Sequence, residues 1–430
     1  MSNTMEKQRR RIKNMQITTV VPDEIIVEIL SNLPPKSLFK LKSVSKSWRS
    51  LISSPHFVKK HLNKQLLSLK LMLTFDESPP RRRYYINSCS LASLSHNNNN
   101  NPYSRVAMLE HPMLSTPIID SPRLRKPIEI HGSCNGLILI IVGSFMFLWN
   151  PSTRKSKNIP HPCKIGDFHD PMKITLLYGL GYDESADDYR VVCSYNSNRH
   201  QILVGPYETE IYSLRSGAWK KADTIQMGFQ GWVEYSGRFV GGRLHWLGGR
   251  YYEKEGGSYG CDIVSIDLAE GRCELVAMPD CLRHCHRVFP DSLKVLGGNL
   301  GLVCYVDNDC DMHIWVMKEY GVKESWVRVL TILLNCGVSD MLSNREEKRW
   351  YIGSLLWSPK KGDGVLAYGP GATNFRPVFG PTCTNLVFCD GRDDELRRVE
   401  VDLVDRIVEA NVYVETLVSP FGDDEAGYVL

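Results

Sequence analysis

Nowhere in the 430 residues do two cysteines stand in C-x-x-C spacing, so the paired-thiolate knuckle that holds structural zinc has no sequence to build it. Long hydrophobic runs are also missing. The longest apolar stretch, Leu137 to Trp149, is broken by Gly143 and Ser144 and falls short of the roughly 20 residues a helix needs to cross a bilayer, so no membrane span is expected. Arg9, Arg10, Arg11 and Lys13 are followed by no apolar segment, so no secretory signal is expected either. The one sequon-like triplet, Asn150-Pro151-Ser152, is blocked by its proline. The 13 cysteines are odd in number and scattered from Cys89 to Cys389 in a chain long enough to fold without staples, which reads as reduced thiols. A cytoplasmic or nuclear protein is expected.

What is present is the composition of a packed protein: 43% hydrophobic, 23% charged and 10% aromatic residues exclude wholesale disorder, a collagen-like rod and a coiled coil. The length predicts two or more domains, or one large repeat architecture. The net charge of +4 hides an asymmetry. Residues 1–64 hold 13 Lys and Arg against 4 Asp and Glu, and residues 65–430 hold 39 against 44, so a basic head precedes a mildly acidic body. No stacking aromatics or groove-reading element accompany Arg9 to Lys13, so nucleic acid is not an expected partner and the segment reads as a solvated tail.

Val21 to Phe57 reads as a compact run of helices. Pro22 suits a helix start, Asp23 and Glu24 lie where the helix dipole favours anions, and Ile25, Ile26, Ile29, Leu30 and Leu33 recur at helical spacing until Pro34-Pro35. Leu38, Leu41 and Val44 mark a second helix beginning at Pro35. Ser45 is placed to cap a third that carries Trp48, Leu51 and Ile52 before Ser53-Ser54-Pro55 ends it. Fifteen of these 37 residues are Val, Ile, Leu, Phe or Trp, and a unit below about 40 residues rarely buries enough surface to stand alone. The surplus predicts an exposed apolar patch, either a docking surface or a face packed on the protein's own body.

From about Leu66 the pattern changes to short alternating or wholly apolar runs broken by Gly, Asn, Asp and Pro, as in strands and turns. Related pieces recur: SCNGLILI then FLWNPSTRKSKNIP, GGRLHWL then IVSIDLAEGRCELVAMP, and LGGNLGLVCY then HIWVMKEYGVKESW. Gly242 and Gly298 open equivalent turns, and about 50 residues per four-stranded unit predicts about six or seven blades of a propeller. Trp149, Trp219, Trp246, Trp315 and Trp326 read as core residues at equivalent blade positions. Pro79 to Arg83, Asn97 to Asn101 and the stretch punctuated by Pro112, Pro117, Pro122 and Pro127 read as loops.

VPDEIIVEILSNLPPKSLFKLKSVSKSWRSLISSPHF resembles an F-box. The pieces GSCNGLILI, LWNPSTRKSKNIP, YGLGYDESADDYRVV, EIYSLRSGAWK, GGRLHWL, IVSIDLAEGR and HIWVMKEYGVKESW resemble the F-box-associated domain of plant F-box and kelch-type proteins. Val21 stands where leucine is usual and Ser45 where cysteine is common, and strict kelch repeats are not clear. The resemblance implies a multidomain chain: a basic flexible tail at 1–18, a small all-α F-box helical bundle at 19–64, and an all-β propeller of six or seven blades at 65–430. It also implies the substrate-recognition subunit of a Skp–cullin–F-box ubiquitin ligase. The F-box would bind a Skp-type adaptor, and through it cullin and RING subunits, with Pro22, Ile25, Ile29, Leu30, Leu33, Pro34, Leu38, Leu41, Val44 and Trp48 as contact residues. The protein substrate is unknown, and a non-ligase scaffold or a propeller hydrolase are the alternatives.

No chemistry of its own is expected of this chain, and no cofactor. Without C-x-x-C pairs there is no RING, and no Cys-His arrangement suggests a thioester-forming thiol. Cys281, His284, Cys285 and His286 are too tightly spaced for an unstrained tetrahedral zinc site and read as a loop. Gly179-Leu180-Gly181 runs into acids rather than a phosphate-binding turn, and Asp187-Asp188 and Asp393-Asp394 read as solvated turn residues. Substrate specificity is expected in connections at one propeller face, with Asn196 to Tyr207, Arg250 to Gly260 and Pro370 to Pro381 as candidates.

Overall fold

Prolines and serines set the helix boundaries. α1 (Asp23–Ser31) follows Pro22, whose carbonyl accepts from the amides of Ile25 and Ile26. α2 (Pro35–Leu41) starts on Pro35, whose missing N–H falls where a helix has no partner for it. α3 (Lys46–Ser53) is capped as its sequence predicts, Ser45 Oγ accepting from Trp48 N at 3.0 Å. Ser53-Ser54-Pro55 ends that helix and also starts a fourth, α4 (Pro55–Gln65), which the sequence pattern did not predict. Ser54 Oγ accepts from Phe57 N at 3.3 Å, and Pro55 occupies the first helical position. Phe57 and Leu62 of α4 join Leu30, Leu38 and Ile52 in a buried core. Buried His61 donates from Nε2 to the Leu33 carbonyl at 2.9 Å, and burial lowers its basicity.

The chain separates into two compact units, Met1–Gln65 and Leu66–Leu430. The computed structural model describes residues 21–65, 69–76, 84–90, 107–109, 128–143, 145–162, 175–196, 206–225, 234–252, 258–283, 288–306, 312–332, 363–368, 385–390, 396–400 and 406–422. The tail at 1–18, the asparagine run, the proline-punctuated stretch, His284 to His286 and Asp393-Asp394 lie outside them.

The second unit is a ring of antiparallel sheets. β4 (Ile128–Cys134), β5 (Leu137–Val142), β6 (Phe145–Asn150) and β7 (Lys155–Ile159) form one; β8 (Thr175–Asp183), β9 (Asp188–Asn196), β10 (Glu208–Ser213) and β11 (Ala218–Lys221) the next. β12 (Arg238–Val240), β13 (Arg243–Tyr252), β14 (Ser258–Asp267) and β15 (Cys273–Val276) follow, then β16 (Val288–Leu296), β17 (Asn299–Val306), β18 (Met312–Met317) and β19 (Trp326–Ile332). Within each sheet the strands pair in chain order, and the first strands pack in series, β4 on β8, β8 on β12 and β12 on β16. In three of these sheets the turn joining first to second strand is a two-residue hairpin with both residues at positive φ, Asn135-Gly136, Gly241-Gly242 and Gly297-Gly298, whereas β8 and β9 are joined by the four residues Glu184 to Asp187. The equivalence read from Gly242 and Gly298 therefore holds.

The closing sheet draws on both ends of this unit. β23 (Arg406–Val414) pairs antiparallel with β1 (Leu69–Asp76), followed by β2 (Tyr84–Ser90) and β3 (Ala107–Leu109), and β23 packs on β4. The segment after β23 is then locked into the second blade. Fully buried Asn150 donates from Nδ2 to the carbonyls of Val418 (2.8 Å) and Thr416 (3.2 Å), and its Oδ1 accepts from Ser152 N (2.8 Å) and Thr153 N (3.3 Å). Thr416 Oγ1 donates to the Asn135 carbonyl at 2.9 Å. A Cβ at Gly136 would lie 2.3 Å from that hydroxyl oxygen, so the hairpin glycine also makes room for the lock.

Three expectations need correction. Among the described residues there are five four-stranded blades, not six or seven, and one further sheet of three strands, β20 (Asp363–Tyr368), β21 (Asn385–Asp390) and β22 (Leu396–Glu400). Equal division fails because the first strands are unevenly spaced along the chain, β8, β12, β16 and β20 beginning at Thr175, Arg238, Val288 and Asp363. The tryptophans do not share one blade position. Trp246 is on a second strand, Trp149 and Trp315 on third strands, and Trp219 and Trp326 on outer strands, where their indole N–H groups donate to carbonyls of the preceding blade's exit, Pro160 (2.7 Å) and Ala277 (3.0 Å). Finally, Asp188 is not solvated. It is buried, paired with Arg190 at 3.4 Å, and accepts from Arg215 N at 2.9 Å. Gly179 and Gly181 lie in β8, where added Cβ atoms would strike Leu244 and Leu268, so close packing between blades is their role.

Candidate functional site

The ten residues singled out on the helical unit fall into three groups. Leu30 and Leu38 are buried in its core. Leu33, Leu41 and Trp48 are half-buried, and Pro22, Ile25, Ile29, Pro34 and Val44 are exposed. Ile25 and Ile29, one turn apart on α1, keep 49% and 57% of their surface in water, and Val44 after α2 keeps 62%. Val21, exposed to 47%, extends the same apolar set and was not among the ten. Polar anchors hold α1 against α4 at this surface. Glu28 pairs with Lys60 at 3.0 Å and with Lys64, and their ammonium groups lower the Glu28 carboxyl pKa. The helix carrying Ile25 and Ile29 is therefore fixed from below by Leu30 and from the side by Glu28, while its apolar face stays open.

On the propeller, a parallel bridge between Tyr178 and Ser236 shows that β8 and the approach to β12 run in the same direction. The β9–β10 and β13–β14 connections consequently lie at one end, where the first strands begin. Two of the candidate specificity loops attach there, but they are smaller than expected. Tyr207 is buried and exchanges backbone bonds with Ile225, and Arg250, Tyr251 and Tyr252 are ladder-paired with Gly260, Tyr259 and Ser258. Pro370 to Pro381 lies outside the described residues.

A group that sequence reading missed sits on these first strands. Residues 234–238 form a hub: Tyr178 N donates to the Tyr235 carbonyl (2.8 Å), Gly237 N to the Tyr178 carbonyl (2.7 Å) and Glu234 N to the Leu247 carbonyl (3.0 Å). Leu293 N donates to Glu234 Oε2 (2.9 Å), Arg238 Nε to the Leu293 carbonyl (3.0 Å), and Ser236 Oγ lies 3.2 Å from His131 Nδ1. Four successive blades meet in five residues. His131 and Ser236 are 105 positions apart, so no local pattern could have joined them. Among the described residues no cluster of His, Cys, Asp or Glu is arranged to hold a metal ion, and no helix is long and apolar enough to cross a membrane.

A small helical module with an uncovered apolar face, followed by a ring of four-stranded sheets, is the architecture of a docking domain joined to a β-propeller. Residues 21–60 match the F-box domain and residues 85–418 the F-box associated beta propeller domain, and the chain belongs to this F-box and propeller family. It is 32% identical to the F-box/kelch-repeat protein At3g23880 of Arabidopsis thaliana over 321 residues, 73% of this chain and 79% of the relative. It is 30% identical to the Arabidopsis F-box protein CPR1 over 329 residues, 73% of each. A post-proline cleaving enzyme from Rickettsia typhi covers 92% of this chain and 61% of its own at 10% identity, but with a TM-score of 0.39 that likeness bears on neither chemistry nor blade number.

Proposed function

We propose that the chain is a non-catalytic substrate receptor of a Skp–cullin–F-box ubiquitin ligase, acting in the cytoplasm or nucleus. The observation that carries this is the open apolar face of the helical unit. Ile25, Ile29 and Val44 have no covering partner among the described residues, and together with Pro22, Pro34 and half-buried Leu33, Leu41 and Trp48 they offer a surface for a Skp-type adaptor. Burying the exposed half of one isoleucine is worth about 1 kcal/mol, so three such residues supply an appreciable part of a micromolar interaction. Leu30 and Leu38 support that surface from within. Catalysis in such an assembly is positional: a target held on the propeller and a charged ubiquitin carrier brought by the other subunits react at a raised local concentration, with no reacting side chain from this subunit.

Co-expression with a Skp adaptor tests the reading. A one-to-one complex is expected, and Ile29→Asp should abolish it, because burying an unpaired carboxylate costs several kcal/mol. Leu38→Asp should unfold the helical unit instead, seen as lost helical circular dichroism. Tight adaptor binding by folded Ile29→Asp would refute the surface. Recovery of adaptor without cullin in pull-downs would favour a scaffold outside the ligase.

A further inference from the structure

Between Glu28 and Asp76 the sequence holds no carboxylate, yet it holds nine Lys and Arg residues. The helical unit treats them unequally. On α4, Lys60 and Lys64 meet Glu28 of α1, so their charge is answered within the unit. Along α2, the turn after it and α3 there is no acid to do the same. Lys40 and Lys46 are exposed and form no ion pair among the described residues. Arg49, also exposed, directs its Nε to the Lys42 carbonyl at 3.4 Å. That bond turns the Arg49 side chain back onto the α2–α3 turn, so Lys40, Lys42, Lys46 and Arg49 gather around one short segment. The Lys42 ammonium itself leans over the Phe39 ring, 5.3 Å from its centroid. Between Lys42 and Lys46 along the turn stands Val44, 62% exposed.

Like charges crowded at a turn repel one another, and no carboxylate of these two helices offsets them. α3 even opens on Lys46 with no acid in its first turn, where the helix dipole favours an anion. A partner that brings carboxylates relieves both penalties. A nucleic-acid phosphate would answer the charge but leave Val44 in water. A protein surface with carboxylates around an apolar contact answers charge and valine together, as the polar rim and apolar centre of an interface do. Val44, with half-buried Leu41 and Trp48, already belongs to the face offered to the adaptor, so the cations border that face. We propose that Lys40, Lys46 and Arg49 form a cationic rim that receives an acidic segment of the Skp-type adaptor, speeding its encounter and fixing its orientation on Val44. This rests on the reading of the helical unit as an adaptor-binding domain, and adds the charge of the adaptor surface that meets it.

Stopped-flow association of the full-length chain with a recombinant Arabidopsis Skp-type adaptor tests the rim. The association rate of the unaltered chain should fall about tenfold between about 20 mM and about 500 mM salt. Lys40→Glu combined with Lys46→Glu should slow association about tenfold at the lower salt and flatten that salt dependence, with dissociation altered less than about threefold. Both residues are exposed, and helical circular dichroism equal to that of the unaltered chain certifies the fold. The same change of charge on the propeller, Lys220→Glu with Lys221→Glu on β11, should leave the rate within about twofold. An association rate indifferent to salt and to the Lys40 and Lys46 changes, or one slowed equally by the β11 pair, overturns the rim. Unchanged adaptor kinetics with loss of retention on phosphatidylserine vesicles also overturns it, and gives the cations to a membrane instead. In each of these cases, adaptor binding that Ile29→Asp abolishes leaves the F-box reading standing. Failure of the unaltered chain to bind adaptor refutes that reading, and the rim with it.

Discussion

Asn150→Ala probes how the propeller ring is held shut. The amide joins the β6–β7 turn to the segment after β23 through four backbone bonds, two at 2.8 Å and two at 3.2–3.3 Å, and is fully buried. Alanine leaves two carbonyls and two amides without their partner. Taking about 1 kcal/mol for each short bond and about half that for each long one gives roughly 3 kcal/mol, before the cavity is counted. For a unit this large each kcal/mol shifts the midpoint by about 1.3 °C, so a fall of about 4 °C is expected in a thermal melt followed by tryptophan fluorescence. Hydrogen exchange should accelerate first at residues 406–418, because the lock holds that end of β23. Asn150→Asp separates packing from bonding. Its ionised carboxylate would face the carbonyls of Thr416 and Val418, which raises its folded pKa, so the stability it contributes is present at low pH and lost as pH rises through that value. A loss below about 1 °C in Asn150→Ala, with unaltered exchange at 406–418, would refute the lock.

His245 is buried, donating from Nδ1 to the Arg238 carbonyl at 3.0 Å and accepting from the Tyr320 hydroxyl at 2.7 Å, and burial pushes its pKa down to about 4. The unfolded chain therefore binds this proton first as pH falls from about 6.5, and propeller stability should drop by about 2 kcal/mol between pH 7 and pH 5 in urea melts. Comparison with His245→Gln isolates that contribution from Glu234, whose carboxyl burial pushes the opposite way. Trp219→Phe and Trp326→Phe each remove an indole donor to the neighbouring blade and should cost about 1 kcal/mol in the same melts. Among the described cysteines, exposed Cys281 should react first with a thiol reagent on the native protein, whereas Cys134 and Cys261, whose thiols burial pushes up to about 12, should react only after denaturation. Intact disulfides in protein alkylated directly from cells would contradict the reducing compartment proposed above.

Local signals carried the helical unit and the hairpins. Ser45, Pro35 and the Asn135-Gly136 dipeptide act within a few residues, so their structural effect is written next to them. Ser53-Ser54-Pro55 ends α3 as expected, but its second role as the start of α4 was missed, because proline and serine mark helix starts as readily as ends and only the Phe57, His61 and Leu62 spacing beyond reveals the new helix. The division of the proposed adaptor surface was not legible: Ile25, Leu30 and Leu38 share a composition and a period, and which becomes core depends on where α4 packs. Blade number failed for a topological reason. One blade takes strands from residues 69–109 and 406–414, a pairing that no count along the chain can see. The contact between His131 and Ser236 was invisible for the same reason, since it joins strands of different blades.

That shared blade also orders events during synthesis. A ribosome releases β1 with one edge bare, and β23, the strand that covers it, emerges only after the other sheets of the described residues. Through that interval a ladder of unpaired amides and carbonyls flanked by Leu71 and Leu73 is open to any extended segment nearby, including another nascent copy. Chains cut short before Arg406 would carry this adhesive edge permanently. Stop codons just before Arg406 should therefore yield insoluble protein rather than a slightly shorter soluble one, and a supplied peptide spanning residues 406–418 should restore solubility to such chains.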